Sequence, residues 1–121
     1  RFAASEESSG HLDFKNCVVD ASEGATKLSL KKIVPVRLMK NEFYHKIKEA
    51  EDNGASIEEL SNILGKGRAK KGMFEGILDE GELEIGQISA MIESIKPVSE
   101  IIDNIVREYN RLLDEISVNK L

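Results

Sequence analysis

Gly65-Lys66-Gly67-Arg68-Ala69-Lys70-Lys71-Gly72-Met73-Phe74-Glu75-Gly76, followed closely by Glu80-Gly81-Glu82-Leu83-Glu84-Ile85-Gly86-Gln87, is the stretch on which the fold of this chain turns. It holds six of the nine glycines. It opens basic, at Lys66, Arg68, Lys70 and Lys71, and closes acidic, at Glu75, Asp79, Glu80, Glu82 and Glu84. Met73 and Phe74 form an apolar pair between the two. Repeated glycine between helical patterns predicts a shaped loop, because glycine lets other groups approach the backbone. Loops held by a rigid scaffold are where sites gather. The plainer alternative is a solvated surface connection.

Helical patterns flank the loop on both sides. Before it, Asn41 suits an N-cap for a helix running to about Asp52, with Phe43, Tyr44, Ile47 and Ala50 on its apolar side. Ser56 and Glu59 read as a capping box, and Leu60, Ile63 and Leu64 follow on one face. After it, Ile85, Ile88, Ile92 and Ile95 recur at helical spacing and predict an amphipathic helix. Asp79, Glu80, Glu82 and Glu84 are then best explained as acids that complement that helix's dipole. Lys96-Pro97 interrupts the pattern. Val98, Ile102, Ile105, Tyr109, Leu112 and Ile116 repeat every three or four residues, the longest such run. It has too few heptads for a coiled coil, so it is expected to pack on its own protein. Asn119, Lys120 and Leu121 are expected to fray.

The first third is more mixed. Arg1 to Ala4 suits the end of a strand. Leu12, Cys17, Val18, Val19 and Ala21 make a short helical stripe, with Asp13 and Lys15 facing water and Gly24 as its stop. From Thr26 to Lys31 polar and apolar residues alternate. That predicts a half-buried strand with Leu28 and Leu30 on one side. Ile33-Val34-Pro35-Val36 continues extended, and Pro35 argues for an edge or an irregular arm. The organisation that follows is 1–25, an extended arm 26–40, a helical segment 41–96 containing the loop 65–87, and a terminal helix 97–121.

Composition bounds the function. The chain has 121 residues, 40% apolar and 32% charged, which fits one soluble domain with a modest core. There is no apolar run long enough to span a membrane and no signal-peptide pattern, so the expected location is cytoplasmic. A net charge of −5 argues against general nucleic-acid binding. Residues 75–121 carry 4 basic and 11 acidic groups, so the negative charge is concentrated there. Cys17 is the single cysteine; it cannot form an internal disulfide and reads as a buried, inert thiol. His11 and His45 lack partners at metal-ligand spacing, and no metal site is expected. The basic half of the loop could meet a phosphate, yet it lacks the P-loop order. No catalytic set is visible.

The loop also carries a resemblance. Arg68-Ala69-Lys70-Lys71-Gly72-Met73-Phe74-Glu75-Gly76 with Glu80–Gln87, preceded by Arg1-Phe2-Ala3-Ala4-Ser5-Glu6-Glu7-Ser8 and His11, resembles the C-terminal part of the nitronate monooxygenase (2-nitropropane dioxygenase) family. The arm Lys31–Arg37 falls between them as that family would have it. Type II enoyl-acyl-carrier-protein reductases share the fold. The resemblance implies the C-terminal portion of an FMN-dependent (β/α)₈ (TIM) barrel plus its helical cover segment, so that the fold class is mainly α with one or two short strands. It implies a flavoprotein oxidoreductase parent acting on a nitronate with O₂, or alternatively reducing an enoyl thioester with NAD(P)H. The family's phosphate-binding turn and catalytic histidine lie upstream of Arg1, and His11 is not that histidine. No catalytic role is therefore transferred, and the fragment alone is expected to be inactive. Arg1 and Phe2 would seat the last strand. Residues 66–91 would cover the flavin, with Met73, Phe74, Gly86 and Gln87 contacting the cavity. Apolar surface meant for the barrel would drive self-association. From a different class, a free-standing helical interaction module would use Val98–Ile116 for docking.

Overall fold

Two core clusters, one on each side of a short hairpin, organise residues 1–118, which are those that the computed structural model describes. The elements are α1 (Leu12–Val19), β1 (Thr26–Ser29), β2 (Val36–Met39), α2 (Glu42–Asp52), α3 (Ile57–Leu64) and α4 (Val98–Val118). The chain is mainly helical with two short strands, as its sequence implies. The expected fraying of Asn119, Lys120 and Leu121 lies outside the described residues.

α2 and α3 begin where their caps dictate. The Tyr44 amide donates to Asn41 Oδ1 at 2.8 Å. The Glu59 amide donates to Ser56 Oγ at 3.1 Å, while the Ser56 amide donates to Glu59 Oε2 at 2.7 Å. The reciprocal pair satisfies two backbone donors that the helix itself leaves unpaired. It also holds the Glu59 carboxyl below the usual carboxylate range. Phe43, Tyr44 and Ile47 of α2 meet Leu60 of α3, and Leu30 and Leu38 complete this first core. Each such side chain contributes about 1.5–3 kcal/mol by leaving water.

β1 and β2 pair antiparallel, Thr26 opposite Met39 and Ser29 opposite Val36. On its other side β2 receives the segment 82–85. The Met39 amide donates to the Leu83 carbonyl at 2.8 Å, and the Ile85 amide to the Arg37 carbonyl at 3.3 Å. The strand after Pro35 is therefore flanked on both sides, contrary to the edge expected from that proline. Pro35 precedes Val36, so its missing N–H costs the ladder nothing. This pairing also overturns the helix expected from Ile85, Ile88, Ile92 and Ile95. Ile85 is drawn into extended backbone by β2, and after Gly86 only a 3-10 turn forms, at Gln87–Met91. The dipole explanation for the acids Asp79 to Glu84 falls with that helix.

Three smaller expectations change. Arg1–Ala4 is not a strand end; Phe2–Ala4 is a 3-10 turn, and Phe2 is half exposed rather than seated. Leu28 and Leu30 do not share a face. Leu28 is exposed, whereas Leu30 leaves the strand at φ 55° in a turn and drops into the first core. α1 stops at Val19, well before Gly24, and Lys15 is buried, its ammonium donating to the Glu6 carbonyl at 3.1 Å.

α4 is set against the rest by its first turn. The Glu7 carboxylate accepts from the Val98 amide at 2.9 Å, and the Glu6 amide donates to the Lys96 carbonyl at 3.0 Å. An acidic group is favourable at a helix N-terminus. Further along, Arg1 lies 3.7 Å from Glu108. Packing of the apolar stripe on its own chain, as its spacing suggested, reaches only the first turns: Ile101 is the buried residue of α4.

Candidate functional site

The glycine-rich stretch folds as a tight double turn pressed against α1 and α2. Residues Lys70–Phe74 form one π turn, in which the Glu75 amide donates to the Lys70 carbonyl at 3.1 Å. Such widened turns occur often at functional positions. Gly72 and Gly81 allow the two halves to touch. A Cβ on Gly81 would stand 2.1 Å from the Gly72 Cα. Gly76 takes φ 74°, and a Cβ there would meet the His11 ring at 2.4 Å. The His11 amide donates to the Met73 carbonyl at 2.7 Å, so the start of α1 and the π turn are joined twice. His11 itself caps α1, its Nδ1 accepting from the Asp13 amide at 3.2 Å.

Arg68 and Asn41 lock the turn from below. The Arg68 guanidinium donates to the carbonyls of Leu64 (2.9 Å), Glu80 (2.9 Å) and Ile63 (3.1 Å). It also lies over the Phe43 ring, 5.0 Å from its centre. Arg68 thus closes α3 and anchors the far side of the loop. Asn41 Nδ2 donates to the carbonyls of Leu78 (2.6 Å) and Gly81 (2.8 Å) while its Oδ1 caps α2. Lys71 pairs with Glu80 and pulls that carboxyl below its ordinary range. Lys70 lies 3.6 Å from Glu75. Arg68, Lys70 and Lys71 are therefore held by the loop's own acids and by backbone carbonyls, and do not form a phosphate cradle.

The four residues expected at a cavity are placed as follows. Met73 turns inward and packs against the second core, which joins Ala4, Phe14, Val18, Met39 and Leu83. Phe74 points outward and is 51% exposed. Gly86 has open space where a side chain would be, and Gln87 is exposed at the start of the 3-10 turn. Leu12 and Ile77, beside the His11–Gly76 contact, are also exposed. Phe74 and Ile77 are thus exposed apolar side chains of the loop, and Leu12 an exposed one at the start of α1. Glu82 is buried, and burial pushes its carboxyl up, with Glu84 adding to the effect. Cys17 is half buried; burial and the nearby Asp20 push its thiol up, as suits an unreactive cysteine. Sequence reasoning missed the Arg68 clamp. The signal open to it was a lone arginine framed by glycines, just past the end of α3.

A separate cleft of about 320 Å³ lies between the N-terminal turn, residues 91–96 and α4, lined by Arg1, Met91, Lys96, Ile101, Asn104 and Glu108. Among the described residues no group of His, Cys, Asp and Glu could hold a metal ion, and no helix is long and apolar enough to cross a membrane.

No family model matches the sequence, and no curated protein is similar enough to be counted a match. Solved structures do match. FabK from Thermotoga maritima is 30% identical with a TM-score of 0.89; the match covers 99% of this chain and 38% of that one. A methionine-to-alanine mutant of FabK from the same organism is 29% identical with a TM-score of 0.83, over 99% and 35%. The chain thus spans little more than a third of the length of FabK, and its fold is that of this part of FabK.

Proposed function

We propose that this chain is the C-terminal portion of an FMN-dependent oxidoreductase, and that residues 66–91 form the cover over its reaction cavity. The observation that carries the reading is the loop itself. Two glycine contacts, three arginine hydrogen bonds and the Asn41 bridge make a rigid plate that leaves the apolar side chains Phe74 and Ile77 exposed. A plate of this kind excludes water, which protects reactive intermediates. The end-to-end likeness to a part of FabK, a flavin-dependent enoyl-acyl-carrier-protein reductase, supports the flavin parent.

The chain's own residues do not fit the cofactor as its holders. Arg68 and Lys71 are engaged within the loop, and Met73 belongs to the core. Phe74 and Gln87 remain as contacts from the cover side, so the groups that bind FMN belong to the rest of the parent. The reaction is oxidation of an alkyl nitronate by O₂. A second reading, reduction of an enoyl thioester by NAD(P)H, is kept beside it because FabK is an enoyl-acyl-carrier-protein reductase; the likeness does not prefer it.

The test is made on the longer parent. It should be yellow, and Phe74→Ala should lower turnover or flavin retention, whereas the isolated chain should be colourless. Oxygen uptake with a nitronate, set against NAD(P)H oxidation with an enoyl thioester, separates the two reactions. A colourless parent inactive in both assays sinks the proposal.

A further inference from the structure

Glu82 keeps only 8% of its surface in water. Among the described residues its carboxylate accepts no hydrogen bond and forms no ion pair. A buried polar group left in this state calls for a reason. The charged groups around it do not offset its burial. On its own segment Glu84 repels it. Arg68, from the glycine-rich turn, attracts it, but that guanidinium is engaged with the carbonyls of Leu64, Glu80 and Ile63. Lys71 and, from α2, Lys46 act on Glu80 instead. On β2, the pairing of Leu38 with Glu84 places Lys40 opposite Glu82, and Lys40 is exposed.

The backbone that carries Glu82 is lightly held. The Met39 amide donates to the Leu83 carbonyl at 2.8 Å and the Ile85 amide to the Arg37 carbonyl at 3.3 Å, which fasten segment 82–85 to β2. The Glu82 amide donates to the Arg68 carbonyl at 3.1 Å. Leu83 is buried in the second core and Ile85 packs beside it, so Glu82 is the residue that works against the apolar anchors. Gly81 is pinned against Gly72 at one end of the segment, whereas Gly86 meets open space at the other. Release starts most easily from the Gly86 end.

We propose that segment 82–85 is a proton-sensitive latch: with Glu82 neutral it stays paired to β2, and with Glu82 ionised it detaches more often and carries Gly86 and Gln87 with it. Burial, with Glu84 adding to it, pushes the carboxyl up while the segment is closed. Above that raised value the closed segment bears a charge that the detached one returns to water. Below the ordinary carboxylate value both are neutral and the penalty is gone. Detachment therefore grows as the pH rises between the two values. Gly86 and Gln87 belong to the proposed cover, so the latch sets how readily its edge lifts. That role rests on the cover reading; the latch itself does not.

Amide hydrogen exchange on the full-length protein, corrected for the intrinsic rate at each pH, tests it from about pH 4 to about pH 8. The Met39, Glu82 and Ile85 amides should lose protection severalfold as the pH rises, while the Ile47 amide in α2 keeps its own. Glu82→Gln should hold the three amides at their low-pH protection throughout. Glu84→Gln should shrink the change without abolishing it. Flat protection in the unaltered protein overturns the proposal, and so does protection that increases with pH. The same profile in Glu82→Gln would assign the effect to another group, and a parallel loss at Ile47 would make it global; either overturns the latch. Flavin absorbance is read on the same samples. A colourless protein with the expected profile refutes the flavin reading alone, and a yellow one with a flat profile refutes the latch alone.

Discussion

Ile47 at the centre of α2 has no exposed surface, while Leu112 in α4 leaves 48% of its surface in water. Both helices are amphipathic, and α4 is the longer, at 21 residues against 11. The difference is in what they meet. α2 enters a core closed by α3 and by two leucines from the hairpin region, and Arg68 and Asn41 tie the glycine-rich turn to the same body. Among the described residues, α4 meets the body through its first turns and the Arg1–Glu108 pair. Periodicity shows that a helix has an apolar side; it does not show whether the partner of that side is in the same chain.

The largest test of this contrast is a matched pair of truncations. Leu60→Ala, in the closed core, should destabilise the isolated chain by about 3 kcal/mol, and Leu112→Ala by well under 1 kcal/mol. Urea melts of the two variants check this; equal losses would mean that α4 is as well packed as α2. Next in size is Gly81→Ala. The added carbon has nowhere to go against the Gly72 backbone, and the cost should lie near the top of the ~1–3 kcal/mol typical of overpacking. Its effect should appear as loss of protection at residues 68–84, with exchange in α4 unchanged.

Asn41→Ala removes a helix cap and strands the Leu78 and Gly81 carbonyls, for about 2 kcal/mol. Asn41→Asp should keep the cap and lose the carbonyl bonds, and so recover only part of the stability in thermal melts. The smallest effect is expected at Glu82, whose raised pKa has a definite sign. Above the folded pKa the buried carboxylate opposes folding. As the pH falls toward the ordinary carboxylate value of about 4, the folded state takes up the proton first and the penalty disappears. Glu82→Gln should therefore raise the Tm slightly at pH 7 and leave it unchanged near pH 4. A lower Tm at pH 7 would show that the carboxylate has a stabilising partner.

What could be read from the sequence was local. Asn41, Ser56 and Glu59 announce α2 and α3 because a cap acts on a donor two or three residues away. The α4 repeat is equally plain. What could not be read was decided by distant backbone. Ile85 follows a helical spacing and still pairs with Arg37, and Leu30 leaves an alternating strand to fill a core that α2 and α3 define. Met73 and Phe74 were singled out together, and the π turn sends one inward and the other outward. Lys66, Arg68, Lys70 and Lys71 look like one basic patch in sequence. In space Arg68 is a clamp, and Lys70 and Lys71 have acidic neighbours.

The bond from Glu7 to the first amide of α4 joins residues 91 apart. α4 can coil as soon as its residues are made, because helix formation is local and takes about a microsecond or less. Its direction relative to the body is set only once Glu7 and Val98, so far apart in sequence, have met. The body can therefore be complete while α4 still swings free, and what remains is the aiming of a finished helix.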